Sequence, residues 1–66
     1  MKISRQKIEM AMARACMNTA DLPKAAGLPA PTVYNAMMGK GIRPVTLGKI
    51  AKALGVDPEE IMEKEC

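Results

Sequence analysis

Apolar positions along this chain recur at spacings of three and four, the rhythm of helices that bury one face. Five such stretches follow one another with short turns between them. The first takes Ser4 as its N-cap and runs to about Cys16, with Ile8, Met12 and Ala15 on its apolar side. The second is predicted from Asn18 to about Ala26. Asn18 offers the capping oxygen, Asp21 three residues on returns the bond, and Met17 and Leu22 occupy the hydrophobic staple positions. Pro23 removes one backbone donor just inside this helix and is expected to strain it locally without ending it.

Gly27 is the predicted stop of the second helix, because glycine adopts the left-handed conformation at a helix C-terminus without a steric penalty. After Leu28 and Pro29 a third helix is predicted from about Ala30 to Met38. Pro31 is tolerated there because the first helical turn needs no donor. Gly39-Lys40-Gly41 stops it, and a basic loop through Arg43-Pro44 leads to Thr46, the expected cap of a fourth helix. In that helix Leu47, Ile50, Ala51 and Leu54 fall at i, i+3, i+4 and i+7, a continuous apolar stripe ended by Gly55. Asp57-Pro58-Glu59-Glu60 then combines a cap, a proline at the first helical position and an acid at the third, which predicts a short fifth helix carrying Ile61 and Met62 to the core.

Composition agrees with an all-α reading. The chain has 66 residues and is 48% hydrophobic with no Phe or Trp, so its core rests on Ala, Leu, Ile, Val and Met. Met10, Met12, Met17, Met37 and Met38 are read as core filling. Sixty-six residues suit one small domain, taken as residues 1–66.

Charge changes the picture more. The formal net charge of +3 hides an asymmetry. Lys2, Arg5, Lys7, Arg14, Lys24, Lys40, Arg43, Lys49 and Lys52 face only Glu9 and Asp21 in residues 1–52, whereas residues 53–66 set Lys64 against five acids. A basic body suits a polyanionic partner. The acids at the start of the fifth helix have their own explanation, since they sit at the positive end of its dipole.

There are no histidines, and the two cysteines, Cys16 and Cys66, have no metal-ligand spacing, so neither a zinc site nor a cofactor is expected. Cys16 is read as a small apolar filler and Cys66 as an incidental terminal thiol. Without histidine, with Ser4 as the only serine and no clustered carboxylates in the basic body, no acid–base machinery can be named and no enzyme is expected. No apolar run approaches the roughly 20 residues of a membrane span, and no signal peptide is visible. The expected setting is the cytoplasm, without a membrane or a small-molecule ligand.

Two short helices joined by a glycine-containing turn, Asn18–Ala26 and Ala30–Met38, have helix-turn-helix spacing. Taken with their flanks, the runs Met17-Asn18-Thr19-Ala20-Asp21-Leu22, Ala25-Ala26-Gly27-Leu28, Thr32-Val33, Gly39-Lys40 and Lys49-Ile50-Ala51-Lys52-Ala53-Leu54-Gly55-Val56-Asp57 resemble the Cro/phage-repressor (XRE-like) helix-turn-helix family. The resemblance covers roughly residues 3–62. It implies a compact five-helix, lambda-repressor-like domain that binds double-stranded operator DNA, commonly as a homodimer.

Carried over to this sequence, the resemblance implies that Thr19 meets a phosphate at the start of the second helix. Ala30, Pro31, Thr32, Tyr34 and Asn35 would form the DNA-facing surface of the third, with Val33 and Ala36 inward. Asn35 is the candidate for bidentate contact with adenine, and Thr32 for a base, a phosphate or a thymine methyl. Lys40 and Arg43 would hold the backbone. Tyr34, the only aromatic residue, either packs at the core edge or meets sugar and phosphate. Two departures stand out. Ala30 and Pro31 replace polar residues common in relatives, so direct readout is expected to be sparse. Met12 and Met37 stand where many relatives carry a buried Arg–Glu pair, an exchange that is often neutral or stabilising. The expected function is sequence-specific transcriptional regulation, repressor-like. The alternative is a protein-interaction or antitoxin-like module with weak or no DNA binding.

Overall fold

The computed structural model describes residues 2–63 and contains five helices: α1 (Arg5–Arg14), α2 (Asp21–Ala26), α3 (Ala30–Met37), α4 (Pro44–Leu54) and α5 (Pro58–Ile61). The architecture is all-α, as expected. Cys66 lies outside the described residues. α4 packs against both α2 and α5, α1 packs on α5, and α3 rests on α2.

All four residues of the α4 stripe, Leu47, Ile50, Ala51 and Leu54, are buried. Ile8, Ala11 and Met12 of α1, Leu22 of α2, Val33, Ala36 and Met37 of α3 and Ile61 of α5 join them, and no polar or charged residue is buried among the described residues. Met12 and Met37 therefore sit in an apolar core that carries no charge-desolvation penalty. Met17 and Met62 pack against its edge. Met10 and Met38, in contrast, are exposed and do not fill the core.

Helix starts follow the local chemistry. Ser4 caps α1, its hydroxyl accepting the Lys7 amide at 3.4 Å. Ile3, which the helical pattern does not assign to the core, is 1% exposed. It holds the staple position that pairs with Ile8 across this cap. Its backbone is fixed as well: Ile3 and Met62 form an isolated antiparallel bridge. Beside it the Ser4 amide donates to Ile61 O (2.8 Å) and the Glu63 amide to Lys2 O (2.9 Å). The Lys7 ammonium donates to the Met62 carbonyl at 3.4 Å. The two described ends of the chain are thereby tied together.

At α2 the capping-box bonds form as predicted. Asn18 Oδ1 accepts the amides of Ala20 and Asp21, both at 2.9 Å, and Asp21 Oδ2 accepts the Asn18 amide at 3.2 Å. Regular helix nevertheless begins at Asp21 rather than Asn18, because residues 19–20 form a tight turn. Pro23 is then the third residue of α2, among the first amides that lack an intrahelical acceptor in any helix. α4 begins at Pro44, with Arg43 in extended conformation before it, and not behind a Thr46 cap. The fixed φ of proline suits the first helical position, and the Arg43 carbonyl accepts the Leu47 amide at 3.0 Å. At α5, Glu60 Oε2 accepts the Asp57 amide at 3.1 Å, completing the predicted signal.

Helices α1 to α4 all end in a pair of reverse backbone bonds. They run from Cys16 and Met17 to Ala13 and Met12, from Gly27 and Leu28 to Lys24 and Pro23, from Gly39 and Lys40 to Ala36 and Asn35, and from Gly55 and Val56 to Lys52 and Ala51. This arrangement places one residue in the left-handed conformation. Glycine fills that place at the last three ends; at the first it is Cys16, with φ 56, the only non-glycine residue of positive φ among those described. Cys16 is exposed, so it serves as a helix terminator and not as the apolar filler expected.

Candidate nucleic-acid interface

α3 is positioned by one face and offers the other. With 100° between successive residues, Val33, Ala36 and Met37 fall on one side, and all three are buried. The opposite side carries Pro31, Tyr34, Asn35 and, one residue past the helix, Met38; all four are exposed. Thr32 and Ala30 are half-buried on the two flanks. The N-terminus of α3 is held by the Pro29 carbonyl, which accepts the amides of Thr32 (3.1 Å) and Val33 (3.3 Å), with no side-chain cap.

Two hollows flank α3, and they divide the candidate residues. The first, about 430 Å³, is lined by Thr32, Asn35 and Arg43 together with Pro29, Gly41 and Thr46. The second, about 260 Å³, is lined by Thr19, Tyr34, Met37, Met38 and Arg5. Thr19 is exposed on the turn that precedes α2, beside Tyr34 and not beside Asn35. Lys40 is exposed at the end of α3, where its amide bonds Asn35 O at 3.1 Å, but its side chain lines neither hollow. Ala30 and Pro31 also lie outside both.

Thr19, Tyr34, Asn35, Lys40 and Arg43 are exposed and Thr32 is half-buried, so their polar groups face or border solvent. No acidic side chain lines either hollow beside α3, whereas Asp57 and Glu59 line a separate one with Leu47 and Met62. The sequence charge asymmetry thus has a spatial counterpart: the acids of α5 are kept away from the walls around α3. The surface is basic and rich in donors, fit to meet phosphates and base edges.

Sequence reasoning missed Met38 and Arg5. Met38 stands at i+7 from Pro31 and i+4 from Tyr34, so the outward spacing of α3 already carried the signal. Arg5 carried none, because it reaches Thr19 and Tyr34 only through the tertiary fold. No group of three or more potential metal ligands is found among the described residues, and no described helix is long and apolar enough to cross a membrane.

Solved structures share this fold. Native PhpD with cadmium and PhpD with cadmium and hydroxyethylphosphonate each match with a TM-score of 0.82, and a variant of hydroxyethylphosphonate dioxygenase with 0.83. Each is 23% identical and matches 100% of this chain, which spans only 14% of each of those chains. The likeness concerns the fold of one segment of much longer proteins. No curated protein matches the sequence. The sequence pattern of the Cro/C1-type HTH DNA-binding domain matches residues 7–66, from α1 onward. With α2, the Gly27 turn and α3 arranged as described, the chain belongs to the Cro/C1-type helix-turn-helix DNA-binding family.

Proposed function

We propose that this chain is a sequence-specific, repressor-like regulator that places α3 in the major groove of an operator. The observation that carries this is the outward face of α3: it has solvent-facing polar side chains and a basic flank, and it is anchored by a wholly apolar inner face. A helix fits the major groove, which is about 12 Å wide. In this reading Asn35 and Thr32 meet base edges, Arg43 and Lys40 hold one strand's phosphates, and Thr19 holds a phosphate on the other side of α3. Ala30 and Pro31 supply apolar contact at the tip. The helix-turn-helix spans about residues 18–38 within a unit taken as residues 1–66. Its place of action is where the DNA is, the cytoplasm.

A homodimer belongs to the same proposal. One such domain covers one half-site, and two act together when half-sites lie about 34 Å apart, one helical turn. The surface proposed for pairing lies beside the loop after Leu54 and α5. There exposed Met10 and half-buried Val56 line a hollow of about 370 Å³ with Lys7, Arg14 and Glu60. Cations and an acid on one surface suit a two-fold pairing, in which each copy's cation meets the other's acid.

The deciding experiment is selection of bound duplexes from a random DNA pool, followed by titration at several salt concentrations. A shared motif, repeated with two-fold symmetry, and an affinity that falls with salt are expected. A specific observation favours one other reading, a protein-interaction or antitoxin-like module: Tyr34, Met38 and Pro31 make part of the α3 surface apolar. Failure to bind even random duplex at low salt would favour that alternative over DNA recognition.

A further inference from the structure

Hydrogen bonding and phosphate contact leave half of the outward face of α3 without a role. Met38 is 72% exposed and Tyr34 43%, while Met37, next to Met38, is buried. A methionine left in water forgoes the stability that burial of its side chain would give. The fold does not require it there. The end of α3 is closed by backbone bonds alone, from Met38 to Tyr34 O (3.0 Å), Gly39 to Ala36 O (3.2 Å) and Lys40 to Asn35 O (3.1 Å).

The hollow beside these residues is lined by Tyr34, Met37, Met38, Thr19 and Arg5, and the surface they expose in it is overwhelmingly apolar. Arg5 pairs with Glu9 at 3.2 Å, but both side chains are largely exposed, and such surface pairs are weak. The site therefore suits an apolar group, with a cationic residue, Arg5, and a hydroxyl residue, Thr19, among those lining it. Among the four base pairs, the major groove presents one apolar group, the 5-methyl of thymine, close to the sugar–phosphate backbone of its own strand. We propose that this hollow receives a thymine 5-methyl group, with Met38 and Tyr34 determining specificity and Arg5 and Thr19 holding the adjacent phosphate. The unbranched, polarisable methionine chain adapts readily to such a methyl. Asn35, on the other flank, then reads by hydrogen bonds while Met38 reads by contact.

This assignment rests on the DNA-binding reading above, and its test separates the two. In a duplex carrying the selected motif, each thymine is replaced in turn by deoxyuridine, which removes the methyl and leaves all hydrogen-bonding groups. At one position per half-site the exchange is expected to weaken binding by about fourfold, the effect of one buried methyl group. Met38→Ala is expected to bind the thymine and deoxyuridine duplexes equally while keeping the salt slope. Met38 is exposed, so the variant should fold; its circular dichroism and melting curve check this. A wild-type protein indifferent to deoxyuridine at every position overturns the assignment alone. So does a deoxyuridine penalty undiminished in both Met38→Ala and Tyr34→Ala. Absence of salt-dependent duplex binding overturns the functional reading and this assignment with it.

Discussion

The two faces of α3 obey different rules although both are drawn from the stretch Pro31 to Met38. The inner face, Val33, Ala36 and Met37, is apolar and enclosed by the core, so its identities answer to packing. On the outer face, Pro31, Tyr34, Asn35 and Met38 are exposed, so core packing does not dictate the choice of residue. The difference teaches that stability and recognition are separable in this helix. Substitutions inside should change melting, and those outside should change binding.

The largest expected effect tests the inner face. Val33 is fully buried, and Val33→Ala removes two carbons at about 0.8 kcal/mol each and leaves a cavity, a total loss of about 2–3 kcal/mol. For a domain this small that is a large share of its stability, and chemical denaturation should show a clear fall in the midpoint. If affinity per folded molecule fell as steeply as stability, the two faces would not be independent. Asn35→Ala is the converse. Stability should stay within about 0.5 kcal/mol, as for a typical surface change. Discrimination between the selected duplex and one altered at the contacted adenine should fall by about 1–3 kcal/mol, measured by competition.

A smaller effect distinguishes the basic flank from the reading positions. Arg43 lines the hollow with Asn35 but ends on an extended loop residue, ahead of α4. If it neutralises one phosphate, Arg43→Ala lowers the log–log salt slope by about 0.9 and weakens all duplexes alike. A loss confined to one base position would move Arg43 from backbone holder to reader. Lys40→Ala serves as its companion: Lys40 lines no hollow, so a matching slope change there would show that the DNA passes beyond the concavity.

Where sequence was sufficient, the determining interactions were local. The α4 stripe, the Asn18–Asp21 capping box and the Asp57–Glu60 start were all readable, because their partners lie within four residues of one another. Start positions slipped where two local signals competed. At α4 the proline at Pro44 prevailed over the hydroxyl of Thr46, and at α2 a tight turn preceded the regular helix. The bridge between Ile3 and Met62 and the approach of Arg5 to Tyr34 were not readable, since they join parts of the chain far apart in sequence. The composition of the outer face was readable, but its division into two hollows was not. That depends on where Thr19 and Arg43 come to rest on either side of α3.

The smallest effect concerns the end of α1, the one among α1 to α4 that closes without glycine. Cys16 holds a left-handed backbone (φ 56) at the end of α1, in the position that Gly27, Gly39 and Gly55 fill at the next three ends. A left-handed residue with a side chain is disfavoured by about 1–2 kcal/mol, because Cβ crowds the following carbonyl. Glycine avoids that clash but gains freedom in the unfolded chain, which offsets part of the benefit. Cys16→Gly is therefore expected to stabilise by about 0.5–1 kcal/mol, read as a higher melting temperature. The Cys16 side chain is exposed, so no core contact is lost to blur the result. The same substitution sharpens the contrast between the faces of α3. Cys16 lies three residues before Thr19, whose proposed phosphate contact depends on where the α2 turn stands. Unchanged affinity alongside the higher melting temperature would show that backbone relief at the end of α1 leaves the interface in place. A changed affinity would show that the α1–α2 turn transmits its geometry to Thr19, so that recognition begins outside α3.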